Sequence, residues 1–231
     1  AESAMERTLR WARRGRDRFV SISSGRVPDV PRSTPGQAQF GIIQGGTYED
    51  LRADSCQAVS ESGVDGIAIG GTLGRDKTEM AEVLGFTVPK LPWEAPKHLL
   101  GIGEIDDLMK GIRLGIDVFD CAVPTRLARH GMALAPDPET RFRMNLRRSD
   151  MVGDRLPLVE GCPCVACRDY DRDYINYISR SEELTAVRLM VEHNLTYMEE
   201  LMAGTRKAIT AGTYESYSAA VLDGKAPWDA L

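Results

Sequence analysis

The chain has 231 residues, a formal net charge of −5, and apolar and charged fractions of 42% and 27%. That length suits one large domain or two smaller ones, and the composition is that of an ordinary globular protein. Mild acidity excludes a global attraction to nucleic acid or anionic membrane, so a polyanion would have to be met by a local basic patch. No apolar run is long enough to span a bilayer and no signal-peptide core lies near the start, which points to the cytoplasm.

The opening residues, AESAMERTLRWARRGRDRF, predict a helix, with Met5 to Phe19 amphipathic and Leu9, Trp11 and Phe19 set among arginines. This reads as a solvated basic face over an apolar stripe, with a nucleic-acid contact as the alternative. With no initiator Met and no strand before the helix, the expectation is a fragment whose fold begins upstream. Residues 23–37, SSGRVPDVPRSTPGQ, predict a loop.

A regular rhythm follows. Continuous apolar runs closed by glycine or polar residues predict buried strands at Phe40 to Gly46, Gly63 to Gly71, Lys97 to Gly103 and Asp117 to Arg126. Helical spacing marks Tyr48 to Ser62, Lys77 to Leu84 and Ile105 to Leu114. Strand and helix in alternation mean parallel β/α units, here about four, half of a (β/α)8 TIM barrel. Polar and glycine residues gather at the C-terminal ends of the strands, where active sites form in such barrels.

After Arg126 the rhythm stops, and the expected division is 1–126 as the half barrel, 127–180 as an irregular metal-binding insertion, and 181–231 as C-terminal helices. Asp169 to Ile178 reads as a helix. Ser181 is the predicted N-cap of a long helix from Glu182 to about Thr210, with Leu184, Val187, Met190, Val191, Leu195, Met198 and Met202 on its apolar face. The tail from Ala211 reads as a short helix and a loose end.

The segment GCPCVACRDY places Cys162, Cys164 and Cys167 within six residues. Without a secretory signal the disulfide reading is weak, and C-x-C-x-x-C supplies three ligands of a tetrahedral zinc site. Of the three histidines, His98, His130 and His193, the last lies on the predicted long helix and is the expected fourth ligand. Four protein ligands leave no position for water, so the metal would be structural. Cys56 and Cys121 read as buried thiols.

FGIIQGG, DGIAIGG, HLLGIG, GIDVFDCAVPTRLAR and C-x-C-x-x-C-x25-H, in that order, resemble the tRNA-guanine transglycosylases, the queuine tRNA-ribosyltransferases. The likeness runs from roughly Met5 to Ile209. It implies a (β/α)8 barrel with a zinc-bearing insertion, exchange of a wobble guanine in tRNA for a 7-deazaguanine base, and a covalent enzyme–RNA intermediate. The nucleophile would be Asp120. The base would be met by Gln44, by the backbone at Gly66 and Ile67, and by Leu100. The anticodon loop would be met by Gly101, Ile102, Gly103, Glu104, Ile105, Asp106 and Asp107, and by Thr125, Arg126, Leu127, Ala128 and Arg129. A homodimer is common in the family.

Two departures stand out. The family's DSGGFQ-type motif, whose aspartate acts as general acid and base, and a further base-binding aspartate have no counterpart in these residues. The expectation is therefore a C-terminal half, inactive alone, with an unclosed barrel edge. In addition, Gly71 falls where bacterial members are expected to carry glutamate. The alternatives are a non-catalytic RNA-binding partner subunit on the same fold, and a base-exchange enzyme acting on DNA or on another tRNA position.

Overall fold

The computed structural model describes residues 1–27, 34–71 and 73–231. Part of the predicted loop at 23–37 thus lies outside the described residues. The chain divides into two compact units, Ala1–Cys121 and Ala122–Leu231.

The first unit is α/β. Helix α1 spans Glu2–Ser23, and β/α alternation follows: β1 Phe40–Ile43, α2 Glu49–Ser60, β2 Gly66–Ile69, α3 Lys77–Thr87, β3 Lys97–Leu99, α4 Ile105–Arg113 and β4 Val118–Phe119. The four strands are parallel and lie in sequential order, with Ile43 beside Ile69, Ile69 beside Leu99 and Leu99 beside Phe119. This is the sheet of a partial TIM barrel. Side chains alternate across a pleated strand. One row, Ile43, Ile69 and Leu99, is buried with Cys56, Val59, Met80, Leu84 and Ile116 in a single apolar core. The intervening row, Ile42, Ala68, His98 and Val118, faces the other side. In α1 only Met5 is fully buried, while Trp11 is exposed and Leu9 packs against the core.

The second unit opens with α5, Val123–Arg129, where the sequence predicts the end of a strand. Pro124 explains the difference: its fixed φ and missing N–H suit the first turn of a helix, so pairing stops at Phe119. A two-stranded antiparallel ribbon, β5 Met132–Leu134 with β6 Arg143–Asn145, comes next. Helices α6 Val165–Asp169, α7 Arg172–Arg180, α8 Leu184–Thr210 and α9 Tyr214–Leu222 complete it.

Ser181 does not cap α8. Its N–H donates to Tyr177 O, closing α7, and Glu182 turns left-handed at φ 59° before α8 begins at Leu184. The buried face of α8 is also rotated from the predicted one. Ala186, Leu189, Met190, His193, Asn194, Tyr197, Leu201 and Ala208 are buried, whereas Leu184 is 83% and Leu195 45% exposed. The tail is packed rather than loose: Ala226 is buried, and Trp228 donates from Nε1 to Glu160 O at 3.1 Å and meets the Tyr197 ring edge-on.

Candidate functional site

In the first unit the register carries one residue beyond each strand end into a common row. Ile43 pairs with Ile69, Ile69 with Leu99 and Leu99 with Phe119, so Gln44, Gly70, Leu100 and Asp120 stand side by side. Each lies two residues after a member of the Ile42–Ala68–His98–Val118 row and so shares its face. Backbone bonds hold the row, with Gly70 N–H donating to Ile43 O and Leu100 N–H to Ile69 O, both at 3.2 Å. The result is a shelf one strand spacing per residue wide, with an amide at one end and a carboxylate at the other.

Helix α2 fixes the amide end. Ser55 Oγ accepts from Gln44 N–H at 3.1 Å. Arg52, fully buried, donates from Nε to Gly46 O at 2.8 Å and from Nη2 to Gly70 O at 3.0 Å. One guanidinium thus ties together the turns that follow β1 and β2. Burial lowers its pKa from the ordinary value, but arginine remains charged in proteins. Gly71 has φ 78°, and a Cβ there would stand 2.5 Å from Gln44 Oε1. A side chain at 71 would strain the left-handed backbone and would have to displace the Gln44 amide.

At the other end Asp120 is 61% exposed, and its Oδ1 accepts from Gly101 N–H at 3.2 Å and lies 2.8 Å from His98 Nε2. Leu100 is half-buried, with its Cδ1 close against Gly70. Gly66 and Ile67 are placed elsewhere. Gly66 begins β2 opposite Phe40, and the Ile67 side chain is buried in the core. Gly66 stands four residues, about 13 Å, before the shelf. Sequence reasoning passed over Arg52, Ser55, and His98 as a partner of Asp120. The available signal was two polar residues, Arg52 and Ser55, on the buried stripe that continues through Cys56 and Val59.

The segment expected to meet RNA is mixed. Gly101 is exposed at φ 75°, whereas Gly103, Ile105 and Asp107 are buried. Lys77 Nζ gathers the acidic groups of this turn, at 2.6 Å from Asp106, 2.9 Å from Asp107 and 3.8 Å from Glu104. Burial raises the Asp107 pKa, with Lys77 pulling against it. In the second unit Arg126 and Arg129 are exposed on α5 while Ala128 lies in the core.

The second unit holds a cluster of four donors, Cys162, Cys164, Cys167 and His193, whose ligand atoms all lie within 4.8 Å of one another. Cys164 caps α6, its Sγ accepting from Cys167 N–H at 3.3 Å, and Cys167 Sγ accepts from Val159 N–H at 3.5 Å. His193 Nδ1 stands 3.6, 3.5 and 3.3 Å from the three sulfurs. A tetrahedral ion with ordinary Zn–S and Zn–N bonds would set that edge at about 3.6 Å. Nε2 donates to Leu134 O at 2.8 Å, which turns Nδ1 toward the sulfurs as an outer-shell partner does. Asn194 supports the arrangement: Oδ1 accepts from Leu134 N–H at 2.7 Å, and Nδ2 donates to Pro124 O and Met132 O.

The protonation of the bare cluster is frustrated. Hydrogen bonds from Cys162 and Cys167 pull the Cys164 thiol far down, while bonds to Cys164 and Cys167, together with burial, push Cys162 far up. Burial opposes charge on His193, but its bonds to Cys164 and Cys167 outweigh that and raise it to about 9. A dication would relieve the crowding of three thiols around one ring. The set can hold a metal ion and, having four ligands, would leave no open position on it. Cys56 is a buried free thiol as expected, while Cys121 is only partly covered.

A parallel β/α sheet with a carboxylate and an amide at its C-terminal rim, joined in sequence to a Cys3His cluster, defines an α/β protein with a four-donor set that can hold a metal ion. The family model for queuine tRNA-ribosyltransferase matches residues 1–226, and the chain belongs to that family. The queuine tRNA-ribosyltransferase of Roseiflexus sp. (strain RS-1) is 43% identical over 211 residues, covering 91% of this chain and 52% of that protein. The chain therefore spans about half the length of this curated relative. Among the described residues no helix is long and apolar enough to cross a membrane.

Proposed function

We propose that the chain supplies the nucleophile-bearing half of a tRNA-guanine transglycosylase, which exchanges the wobble guanine of a tRNA anticodon for a 7-deazaguanine base. The supporting observation is the shelf of Gln44, Gly70, Leu100 and Asp120. A planar base lies beside Gly71, with the Gln44 amide on its polar edge and Leu100 against its face. Gly66 and Ile67 belong to the structural start of the strand in this reading. Asp120 attacks ribose C1′: a C1′–O bond forms as the bond to guanine N9 breaks, and the electron pair leaves with the purine. The incoming base reverses the step and frees the carboxylate. In the family a second aspartate serves as general acid and base, and it has no counterpart in these residues.

Tyrosine, arginine and backbone groups commonly position RNA. Here the exposed Arg126 and Arg129 and the turn at Gly101 are the proposed anticodon contacts, while Ile105, Asp107 and Ala128 act through packing. The Cys3His cluster would hold one structural Zn2+, on the strength of its edge lengths and the bond that orients His193. A cytoplasmic homodimer follows by analogy with the family.

A non-catalytic partner subunit would have no use for a carboxylate anchored at this rim, and that favours the enzyme. The test is denaturing electrophoresis of the protein that carries this chain after incubation with an anticodon hairpin. A covalent band lost in Asp120→Asn supports the proposal. A band of wild-type intensity in Asp120→Asn would overturn it.

A further inference from the structure

The two oxygens of Asp120 differ. Oδ1 takes both available donors, Gly101 N–H at 3.2 Å and the His98 ring at 2.8 Å. Oδ2 accepts no hydrogen bond among the described residues and lies on a side chain 61% exposed. His98 itself is restrained. It sits on β3 between Ala68 and Val118 in register, its side chain is 22% exposed, and its ring meets Phe40 edge-on with centroids 6.3 Å apart. A carboxylate only accepts, so the shared proton resides on His98 Nε2.

From this geometry we infer that His98 is a positioning residue that fixes the Nε2–H tautomer toward Oδ1 and presents Oδ2 as the attacking atom. The inference rests on the nucleophile reading of Asp120. In the forward step the C1′–Oδ2 bond forms, the C1′–N9 bond breaks, and the departing purine takes a proton from solvent. Oδ1 then becomes the carbonyl oxygen of the ester. In the return step the incoming base loses a proton, its nitrogen bonds to C1′, and the C1′–Oδ2 pair returns to the carboxylate. The two donors on Oδ1 stabilise that returning charge, so His98 acts most strongly on breakdown of the adduct. A donor held in a strand, rather than on a loop, also keeps the carboxylate from rotating away from the shelf.

The test has three arms on the protein that carries this chain, with an anticodon hairpin RNA as substrate. His98→Leu should slow adduct breakdown about ten- to hundredfold, the size of a charge-assisted hydrogen bond, with KM for the hairpin within twofold. His98→Gln, which can return a donor near the same place, should recover most of the rate. Wild-type turnover in His98→Leu would overturn the inference, as would a loss expressed only in KM. Independently of turnover, the imidazole 15N spectrum should show His98 as the Nε2–H tautomer hydrogen-bonded to an acceptor, and Asp120→Ala should shift the Nε2 signal as that bond is lost. An Nδ1–H tautomer, or no response to Asp120→Ala, would overturn it even if His98→Leu does not fold. Finally, Asp120→Asn separates the two readings: an adduct that survives in it sinks the nucleophile assignment and this inference with it. An adduct lost there but formed and resolved normally in His98→Leu sinks only the role of His98.

Discussion

The two units reach order by different means. The first is built on a repeating pattern: apolar strand, amphipathic helix, apolar strand, with one contiguous core beneath the sheet. Its polar residues of interest sit at the rim, and the buried Arg52 braces that rim from below. The second unit has little regular sheet; it has an apolar core of its own, with Leu146, Leu158, Ile175 and Leu189 fully buried, and in addition ties distant segments by specific polar links. His193 joins the cysteine knuckle to β5, Asn194 joins β5 to α5, Asn176 holds Leu146 O and Arg148 O, and Trp228 holds Glu160 O. Both units rest on apolar burial, but the one whose segments are also joined by a few polar links should be the more sensitive at a single link.

The sharpest way to expose that difference is to act on the Cys3His cluster, the proposed zinc site. Binding free energy of a structural zinc is folding free energy, of order 10–16 kcal/mol in small zinc domains. Prolonged chelation, or His193→Ala, should therefore unfold the second unit and leave the first largely intact. Hydrogen exchange by mass spectrometry, resolved by segment, checks this: loss of protection should concentrate in 122–231. Equal loss in 40–120 would mean that the cluster is not what separates the units.

How much of this was legible in the sequence follows the same division. Periodicity located all four strands and the three helices between them, because a buried parallel strand must be continuously apolar. The three cysteines and His193 were legible as a set because four donors able to hold one metal ion have few substitutes. Periodicity failed where single polar contacts decide. The face of α8 was drawn through Leu184 and Leu195, yet His193, Asn194 and Tyr197 select a neighbouring face by what they bond. Ser181 looked like an N-cap, but whether a serine closes one helix or opens the next depends on the left-handed turn at Glu182. At the rim, Asp120 and Gln44 stand out by motif, whereas their place in one row with Gly70 and Leu100 needs the strand register.

The second largest effect is expected at the brace of the first unit. Arg52→Met keeps length and apolar stem but takes the donor from Gly70 O, which is buried, and from Gly46 O, which is part-buried. Each buried carbonyl left without its donor costs about 1–3 kcal/mol, so the unit should lose about 2–5 kcal/mol in urea unfolding. An effect below about 1 kcal/mol would show that the rim holds itself. Gly71→Ala should cost less, about 1–2 kcal/mol, from the left-handed backbone. Because its methyl would stand against Gln44 Oε1, it should weaken base binding far more than it weakens the fold. Equal losses of both, measured by titration with the free base and by unfolding, would argue against the shelf.

The smallest effect belongs to Lys77, and its signature is pH. Asp107 is buried and its folded pKa is raised above the unfolded value. Its ionisation therefore costs stability: the cost is absent below the unfolded pKa and grows as pH rises through the folded one. Lys77 offsets that cost through its 2.9 Å contact with Asp107, and at 36% exposure the offset is screened by water. Lys77→Met should accordingly lower stability by no more than about 1 kcal/mol at neutral pH. The difference from wild type should shrink as the medium is taken down through the carboxylate range, because a protonated Asp107 no longer needs the ammonium. Urea unfolding of both forms at neutral and acidic pH measures it. A deficit that stays constant across that range would mean that Lys77 acts through packing of its stem rather than through its charge.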